Sequence, residues 1–210
     1  MDILDLREKN DNGPIPQIPT EPSGLKKVTS FIWEIVKIVV ISLAIIIPIR
    51  MFVVQPFIVE GASMQPNFHD GEYLIVDEIS YRFSAPKRGD AVIFHPPQNL
   101  KVYYIKRIIG LPGETVELKD GSIYIYNSEY MDGVRLSEID YTIDNKISKN
   151  EKDKVTLAQD EYYLVGDNRL NSLDSRRFGA VKLNYIKGRA WLRAFPFNRF
   201  TIFEEAEYGL

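Results

Sequence analysis

The chain has 210 residues, and its 26 basic against 29 acidic side chains leave a net charge of −3, which argues against a nucleic-acid binder with a basic face. It contains no cysteine and only two histidines, His69 and His95, so thiol nucleophiles, thiolate zinc sites and multi-histidine metal centres are excluded. Hydroxyl, amine and carboxylate chemistry remains, on a chain long enough for one domain with an anchor and a tail.

An apolar stretch near the amino terminus predicts a membrane span. Residues 31–54 are apolar apart from Glu34, Lys37 and Arg50, and a helix of this length can cross a hydrocarbon core of roughly 30 Å. The alternatives are a buried helix of a soluble protein and a cleaved signal peptide. The stretch is too long for a signal peptide, and no small-residue cleavage site directly follows it.

The charges that flank this span predict its orientation. Lys26 and Lys27 precede it, whereas the next basic residue after Arg50 is Arg82. The positive-inside rule therefore places the amino terminus in the cytoplasm and the rest of the chain outside. We expect residues 1–30 to form a disordered cytoplasmic tail and residues 55–210 to form an extracytoplasmic domain.

β-Structure is predicted after the span. Short β-branched and aromatic runs lie between turn residues at 73–76, 91–94, 102–109, 155–157, 161–165 and 190–195. Segments 115–119 and 122–126 alternate around Asp120-Gly121, which predicts a hairpin, and the polar stretch 127–154 predicts a surface excursion. The expected fold is mostly β, an antiparallel and partly closed or folded-over sheet on a single amino-terminal helix.

Ser63 is the first candidate for chemistry. It stands in the segment GASMQP, residues 61–66, among small residues and directly after a strand-like run. Such a serine can present its hydroxyl with the backbone close to a substrate, but most serines beside glycine and proline are simple turn residues.

Lys106 is the second candidate. It lies in the apolar strand segment YIKRIIG, residues 104–110, where alternation places it on the same face as Tyr104 and Ile108. One interpretation is an edge-strand lysine that faces water and prevents aggregation. The other is a buried lysine, whose pKa burial would lower until the amine becomes a usable base near neutral pH.

Two further segments are unusually polar. Residues 166–179, GDNRLNSLDSRRFG, follow an apolar strand and carry many hydrogen-bonding groups, although an ordinary solvated loop has the same composition. Residues 88–90, RGD, lead into the apolar segment AVIF, a pattern that alone indicates only a turn before a strand.

Together these segments resemble the bacterial type I signal peptidases. GASMQP resembles the family's nucleophile motif, RGDAVIF a strand motif, YIKRIIGLPGE the general-base motif, and GDNRLNSLDSRRFGAV the carboxy-terminal motif. The resemblance covers roughly residues 30–195, and the order, the spacing and the preceding span all agree. The short chain with one span resembles the compact form of the family.

The resemblance implies a membrane-bound serine endopeptidase that cleaves signal peptides from exported preproteins after small residues. Ser63 would be the nucleophile, Lys106 the general base, and Ser172 the hydroxyl that orients the lysine. The enzyme would be a monomer in the bacterial cell membrane, with a fold like that of the self-cleaving repressors. It would contact the lipid bilayer, would not bind nucleic acid and would need no metal or organic cofactor.

The resemblance also assigns supporting roles. The Ser63 N–H would donate to the oxyanion. Many relatives supply a second donor from a serine where this chain has Gly61, so that donor would come from the Gly61 backbone region or a water, or be missing. The resemblance implies substrate pockets lined by Phe57, Val59, Met64 and Ile105, and structural ion pairs made by Arg107, Asp167, Asp174 and Arg176.

Other functions fit parts of the pattern. A self-cleaving repressor would share the dyad, but the span and the lack of a DNA-binding module count against it. A histidine-based hydrolase would use His69 or His95, of which His69 lies in a polar turn. A non-catalytic anchored β domain could bind extended peptides by strand addition, and a catalytically dead relative is disfavoured by the presence of both Ser63 and Lys106.

Overall fold

The amino-terminal helix is the first element in the structure, a computed structural model that describes residues 24–52, 54–137 and 153–203. Helix α1 spans Gly24–Phe52, and its segment Val28–Ile47, with a mean hydropathy of 2.4, is long and apolar enough to cross a membrane. The helix begins seven residues before the predicted span and ends two residues before its predicted end. Residues 28–47 are exposed, which fits an anchor better than a buried core helix.

Two antiparallel sheets follow the helix within the described residues. The strands are β1 (Val54–Ile58), β2 (Tyr73–Asp77), β3 (Ala91–Phe94), β4 (Tyr104–Gly110), β5 (Thr115–Lys119), β6 (Ser122–Tyr126), β7 (Val134–Arg135), β8 (Asp153–Thr156), β9 (Glu161–Val165), β10 (Val181–Lys182), β11 (Ile186–Phe195) and β12 (Thr201–Ile202). The larger sheet has the strand order β1-β2-β11-β3-β4-β9-β10, with β12 paired to β11, and the smaller has the order β7-β6-β5-β8. A short helix α2 (Ser175–Phe178) lies between β9 and β10.

The β5–β6 hairpin forms as its turn residues predict. Lys119 pairs with Ser122, and Asp120 and Gly121 both have a positive φ, of 53° and 79°. A two-residue turn that matches the twist of the strands requires positive φ at both central positions, which aspartate tolerates and glycine adopts freely.

In the part of the chain that the structure describes, three clusters of buried apolar side chains hold the sheets together. One lies between the two sheets and includes Ile109, Ile123 and Tyr163. The other two divide β3 and β4 between them: Ile93 and Ile105 belong to one cluster and Val92 and Ile108 to the other. Alternate residues of a strand point to opposite faces, so the larger sheet is covered on both faces in its centre.

The predicted fold class, mostly β with an antiparallel sheet on an amino-terminal helix, is confirmed. The predicted excursion 127–154 is less uniform than expected, because its first part contains β7, which pairs with β6. Strand β8 begins at Asp153, within the same predicted excursion. Residues 138–152 of the excursion lie outside the described residues.

Candidate active site

Ser63 lies in a loop that connects β1 to β2. The loop is closed at its base by two backbone hydrogen bonds between Val59 and the returning chain, at 2.8 Å to the Glu72 carbonyl and 2.9 Å from the Gly71 N–H. Gly61 has a φ of +85°, a conformation that favours glycine. Its N–H donates to the Asp70 carboxylate at 2.7 Å, which fixes the chain two residues before Ser63.

Lys106 lies in the middle of β4, which is a central strand between β3 and β9. Its side chain is only 4% exposed, so the interpretation as an edge-strand lysine facing water is wrong. Lys106 Nζ lies 2.7 Å from Ser63 Oγ and 2.8 Å from the Ile105 carbonyl oxygen. The fold therefore brings the two candidate residues into direct hydrogen-bond contact.

The surroundings of Lys106 lower its pKa. Burial lowers its pKa from the ordinary 10.5 to about 8, while the Asp174 and Asp167 carboxylates raise the pKa and the Arg176 guanidinium lowers it. Desolvation outweighs the carboxylates because an ammonium loses its hydration in the apolar interior. A fraction of about one tenth of the amine is then neutral at pH 7, enough to accept a proton from a hydroxyl at 2.7 Å.

Ser172 lies beside the nucleophile loop. A Cβ at position 166 would collide with the Ser172 hydroxyl and with the carbonyl oxygen of Ser63, so Gly166 is what allows the two segments to approach. Among the described residues, Lys106 makes its hydrogen bonds to Ser63 and Ile105, and Ser172 is not a partner of the amine in this structure.

Gly61 does not offer a free oxyanion donor. Its N–H, in the backbone region that the sequence suggested as a second donor, is engaged by the Asp70 carboxylate. The Ser63 N–H has no intramolecular acceptor among the described residues, and it is the backbone donor beside the hydroxyl.

Two buried ion pairs lie around the site, and the first links β4 to the segment that follows β9. Arg107 makes a bidentate pair with Asp167, at 2.7 Å and 2.6 Å, and Asp167 also accepts from Asn67 at 2.8 Å. Asp174 caps α2 and pairs with Arg176 at 2.8 Å. Burial alone would raise the pKa of Asp174, but hydrogen bonds and charge from Arg176 hold it below its ordinary value.

A groove of about 700 Å³ opens at Ser63 and Lys106. Its apolar lining includes three of the four residues predicted for the substrate pockets, Phe57, Val59 and Ile105. The sequence did not single out the remaining apolar and aromatic lining residues: Pro56, Ile58, Leu74, Ile93, Val102, Tyr103, Tyr104 and Leu173.

Met64, the fourth predicted pocket residue, does not line the groove. It is 1% exposed and packs with Phe68, Ile93 and Ile105 in the cluster beneath the loop. Ser63 and Met64 are consecutive residues of a tight turn, and their side chains diverge: the serine faces the groove and the methionine is buried. Met64 therefore supports the groove from behind.

The sequence did not indicate two residues in and around this site, Asn168 and Glu72. Asn168 donates from its main-chain N–H to the Ser63 carbonyl at 3.0 Å and from its side-chain amide to the Ala62 carbonyl at 3.1 Å. Glu72 is buried and pairs with Arg193 and Arg199, each at 2.8 Å. The polar density of residues 166–179 was the one available signal for Asn168, and it did not say which side chain faces the serine.

The two histidines make contacts with residues other than Ser63 and Lys106. His95 Nδ1 is 3.0 Å from the Val102 carbonyl oxygen, and its ring stacks on Tyr103. His69 lies 3.8 Å from the Glu72 carboxylate. Neither contacts Ser63 within the part of the chain that the structure describes, which counts against a histidine-based hydrolase.

The chain is similar in sequence to known signal peptidases. The model of the family described as "Signal peptidase, peptidase S26" matches residues 32–195. Signal peptidase I of Bacillus amyloliquefaciens is 38% identical over 192 residues, 87% of this chain and 95% of the relative. Signal peptidase I T of Bacillus subtilis strain 168 is 38% identical over 201 residues, 91% of this chain and 95% of the relative. A crystal structure of a signal peptidase I from Enterococcus faecalis V583 is 38% identical and covers 50% of this chain and 97% of that one, with a TM-score of 0.42.

Proposed function

This chain belongs to the signal peptidase family, peptidase S26, and on that premise we propose that it cleaves signal peptides from exported preproteins with a catalytic dyad of Ser63 and Lys106. Family membership makes it a serine peptidase. The observation that carries the dyad is the 2.7 Å separation of Lys106 Nζ and Ser63 Oγ on a buried lysine.

In the acylation step, Ser63 Oγ attacks the scissile carbonyl carbon while the neutral Lys106 amine takes the hydroxyl proton. The carbonyl oxygen becomes an oxyanion, which the Ser63 N–H stabilises. When the C–N bond breaks, the Lys106 ammonium returns the proton to the leaving amine. The mature protein departs with a free amino terminus, and the signal peptide stays on Ser63 as an ester.

In the deacylation step, the neutral Lys106 amine takes a proton from a water molecule that attacks the ester. The ester C–O bond breaks, and the proton returns to Ser63 Oγ. The signal peptide leaves as a carboxylic acid, which then loses its proton to the solvent and becomes a carboxylate. From the family resemblance, Ser172 is proposed to orient the amine between these steps; its hydroxyl lies next to Gly166, as does the Ser63 carbonyl, so a rearrangement of the amine from Ile105 to Ser172 is part of this proposal.

The groove supports a requirement for small side chains before the cut. Phe57, Val59 and Ile105 line the same groove as Ser63, and their bulky apolar side chains favour small substrate side chains next to the scissile bond. We propose that these residues form shallow pockets for the first and third substrate positions before the cut. The ion pairs of Arg107 with Asp167 and of Arg176 with Asp174 are proposed to hold the surrounding strands in place.

The anchor brings enzyme and substrate to one surface. We propose that residues 1–30 are a cytoplasmic tail, 31–54 the span and 55–210 the extracytoplasmic catalytic domain. Nine positions separate Val54 from Ser63, and a preprotein is held in the same membrane by its own apolar signal segment. Confinement of both partners raises their effective concentration without new contacts.

The test of the proposed function is cleavage of a preprotein by the purified full-length chain in liposomes. Mass spectrometry of the product should show a single cut after a small residue at the end of the signal segment. Ser63→Ala should abolish the product. A Ser63→Ala variant that cleaves like the wild type would contradict the proposal, and so would wild-type protein that binds the preprotein without cutting it.

A further inference from the structure

Asn168, in the loop of residues 166–172, donates hydrogen bonds to two consecutive carbonyls of the turn that carries Ser63. The Asn168 main-chain N–H donates to the Ser63 oxygen at 3.0 Å, and its side-chain amide donates to the Ala62 oxygen at 3.1 Å. Asn168 is half-buried. Its own side-chain oxygen accepts from the Asn171 N–H at 3.3 Å, so the amide is itself held in orientation.

The hydrogen bond from the Asn168 amide to the Ala62 carbonyl determines the direction of the Ser63 N–H. The Ala62 carbonyl and the Ser63 N–H belong to one peptide group, which is planar and trans, so the two bonds point in opposite directions. A donor that holds the carbonyl on one side therefore holds the N–H on the other. Among the described residues no acceptor occupies that N–H, which leaves it available to a substrate oxygen.

We infer that Asn168 is a positioning residue for the oxyanion hole, an inference that rests on the proposed function of Ser63. Because Asp70 engages the Gly61 N–H at 2.7 Å, that N–H is not available as a second donor beside the Ser63 N–H. Its direction then matters more than it would in a site with two free donors. Asn168 acts through this peptide group and does not itself touch the reacting atoms.

We expect Asn168→Ala to lose less kcat than a variant that lacks an oxyanion donor altogether. Removal of a whole oxyanion donor typically lowers kcat by 10²–10³-fold. Without the Asn168 amide, the Ala62 carbonyl still accepts from the Gln65 N–H, at 3.2 Å, and the peptide group keeps part of its orientation. We therefore expect Asn168→Ala to lower kcat by about 10- to 100-fold, an intermediate loss on the same scale.

The experiment compares three variants of the full-length protein on a quenched peptide substrate. Asn168→Ala removes the amide and keeps the main-chain bond to Ser63. Asn168→Asp keeps the shape but replaces the donor with an oxygen, so it should lose at least as much kcat. Asn171→Ala is the matched control, because it removes an exposed asparagine side chain in the same loop.

Three readouts separate positioning from a structural effect. In Asn168→Ala, kcat should fall while KM stays within about twofold, as for a group that acts mainly in the transition state. The midpoint of the acidic limb of the pH–rate profile should not move, because Asn168 does not contact Lys106. The melting temperature should stay close to that of Asn171→Ala.

The inference is overturned if Asn168→Ala keeps kcat within twofold of Asn171→Ala, or if its loss is matched by a shifted pH midpoint or a collapsed melting temperature. It is equally overturned if Asn168→Asp retains more activity than Asn168→Ala. Ser63→Ala, measured in parallel, distinguishes failure of the proposed function from failure of the inference about Asn168. A fully active Ser63→Ala removes the proposed function and this inference together, whereas an inactive one leaves failure at Asn168 as a failure of the inference alone.

Discussion

Lys106 Nζ and Ser63 Oγ are 2.7 Å apart although 43 positions separate the two residues in the chain. Strands β1 and β4 are not neighbours, since β2, β11 and β3 lie between them. The serine reaches the lysine because the loop after β1 lies over the sheet, where Met64 and Phe68 pack with Ile93 and Ile105. The apolar contacts of the loop thus place the hydroxyl against the amine.

The pH dependence of turnover follows from the lysine. With a pKa of about 8, the amine is mostly protonated at mildly acidic pH and becomes a base as the pH rises. We expect kcat/KM on a peptide substrate to rise with a midpoint near pH 8. A profile that stays flat down to about pH 5 would exclude an amine base.

A charge placed near the amine should move this profile. Ser172→Asp adds a carboxylate beside the nucleophile loop, which favours the ammonium and raises the pKa of Lys106. The acidic limb should shift to higher pH. Ser172→Asn is the matched neutral control and should leave the midpoint in place, so equal midpoints in the two variants would refute the electrostatic explanation.

The same shift predicts a stability effect. Because the folded pKa of Lys106 lies below its ordinary value, the unfolded chain holds more protons between about pH 8 and 10.5, and stability should rise with pH in that window. Below pH 8 the buried lysine costs the fold up to about 3 kcal/mol. Lys106→Met should therefore be more stable than wild type at pH 7, with a gain that shrinks toward pH 10.

Thermal unfolding at several pH values measures this gain. The control is Lys101→Met, which replaces an exposed lysine shortly before β4. This variant should show no pH-dependent gain in stability. A Lys106→Met protein that is less stable than wild type at pH 7 would contradict the desolvation argument.

The sequence predicted most strands but not the contacts between distant ones. Periodicity and turn residues located β3, β5, β6 and β9 at their observed bounds, because each is a short run between clear turns. Two-residue strands such as β10 carry no periodicity. Strand β11 begins four residues before the predicted segment 190–195. At Gly188 this strand lies so close to β2 that a Cβ would collide with the Asp77 carbonyl. Such an approach depends on tertiary packing, which a local pattern does not show.

The same limit applies to the site. Alternation indicated which face Lys106 occupies but could not tell an edge strand from a central one, and burial is what changes its pKa. The pairing with Ser63 came from the resemblance to a family, because no local pattern links a loop serine to a strand lysine. Asn168 and Glu72 contact partners that are 106 and 121 positions away, beyond any local pattern.

The buried pair of Arg107 and Asp167 should be important for stability. Both side chains are nearly inaccessible, and Asp167→Ala removes the carboxylate that pairs with the buried guanidinium, a loss that typically costs about 3–5 kcal/mol. Asp160→Ala is the control, because Asp160 pairs with Lys182 on the surface at 3.9 Å and should cost less than about 1 kcal/mol. Similar losses of unfolding free energy in both variants would contradict a structural role for the buried pair.

Substrate specificity should follow from the depth of the groove. In a model preprotein, replacing alanine with leucine at the first position before the cut should abolish cleavage, because the larger side chain would overpack the proposed pocket of Phe57, Val59 and Ile105. Leucine at the second position should be tolerated, since alternate side chains of an extended peptide point away from the groove. Equal cleavage of the first-position alanine and leucine substrates would refute the pocket assignment.

The central claim is that Ser63 and Lys106 act as one unit, and single and double substitution tests it most directly. Turnover of a preprotein is measured for Ser63→Ala, Lys106→Ala and the double variant in the same liposomes. Each single variant should lose several orders of magnitude, and the double variant should be little worse than either, because residues that act together are strongly non-additive. A Lys106→Ala protein that keeps more than about a tenth of wild-type turnover, where loss of a general base typically costs 10²–10⁴-fold, would contradict the dyad.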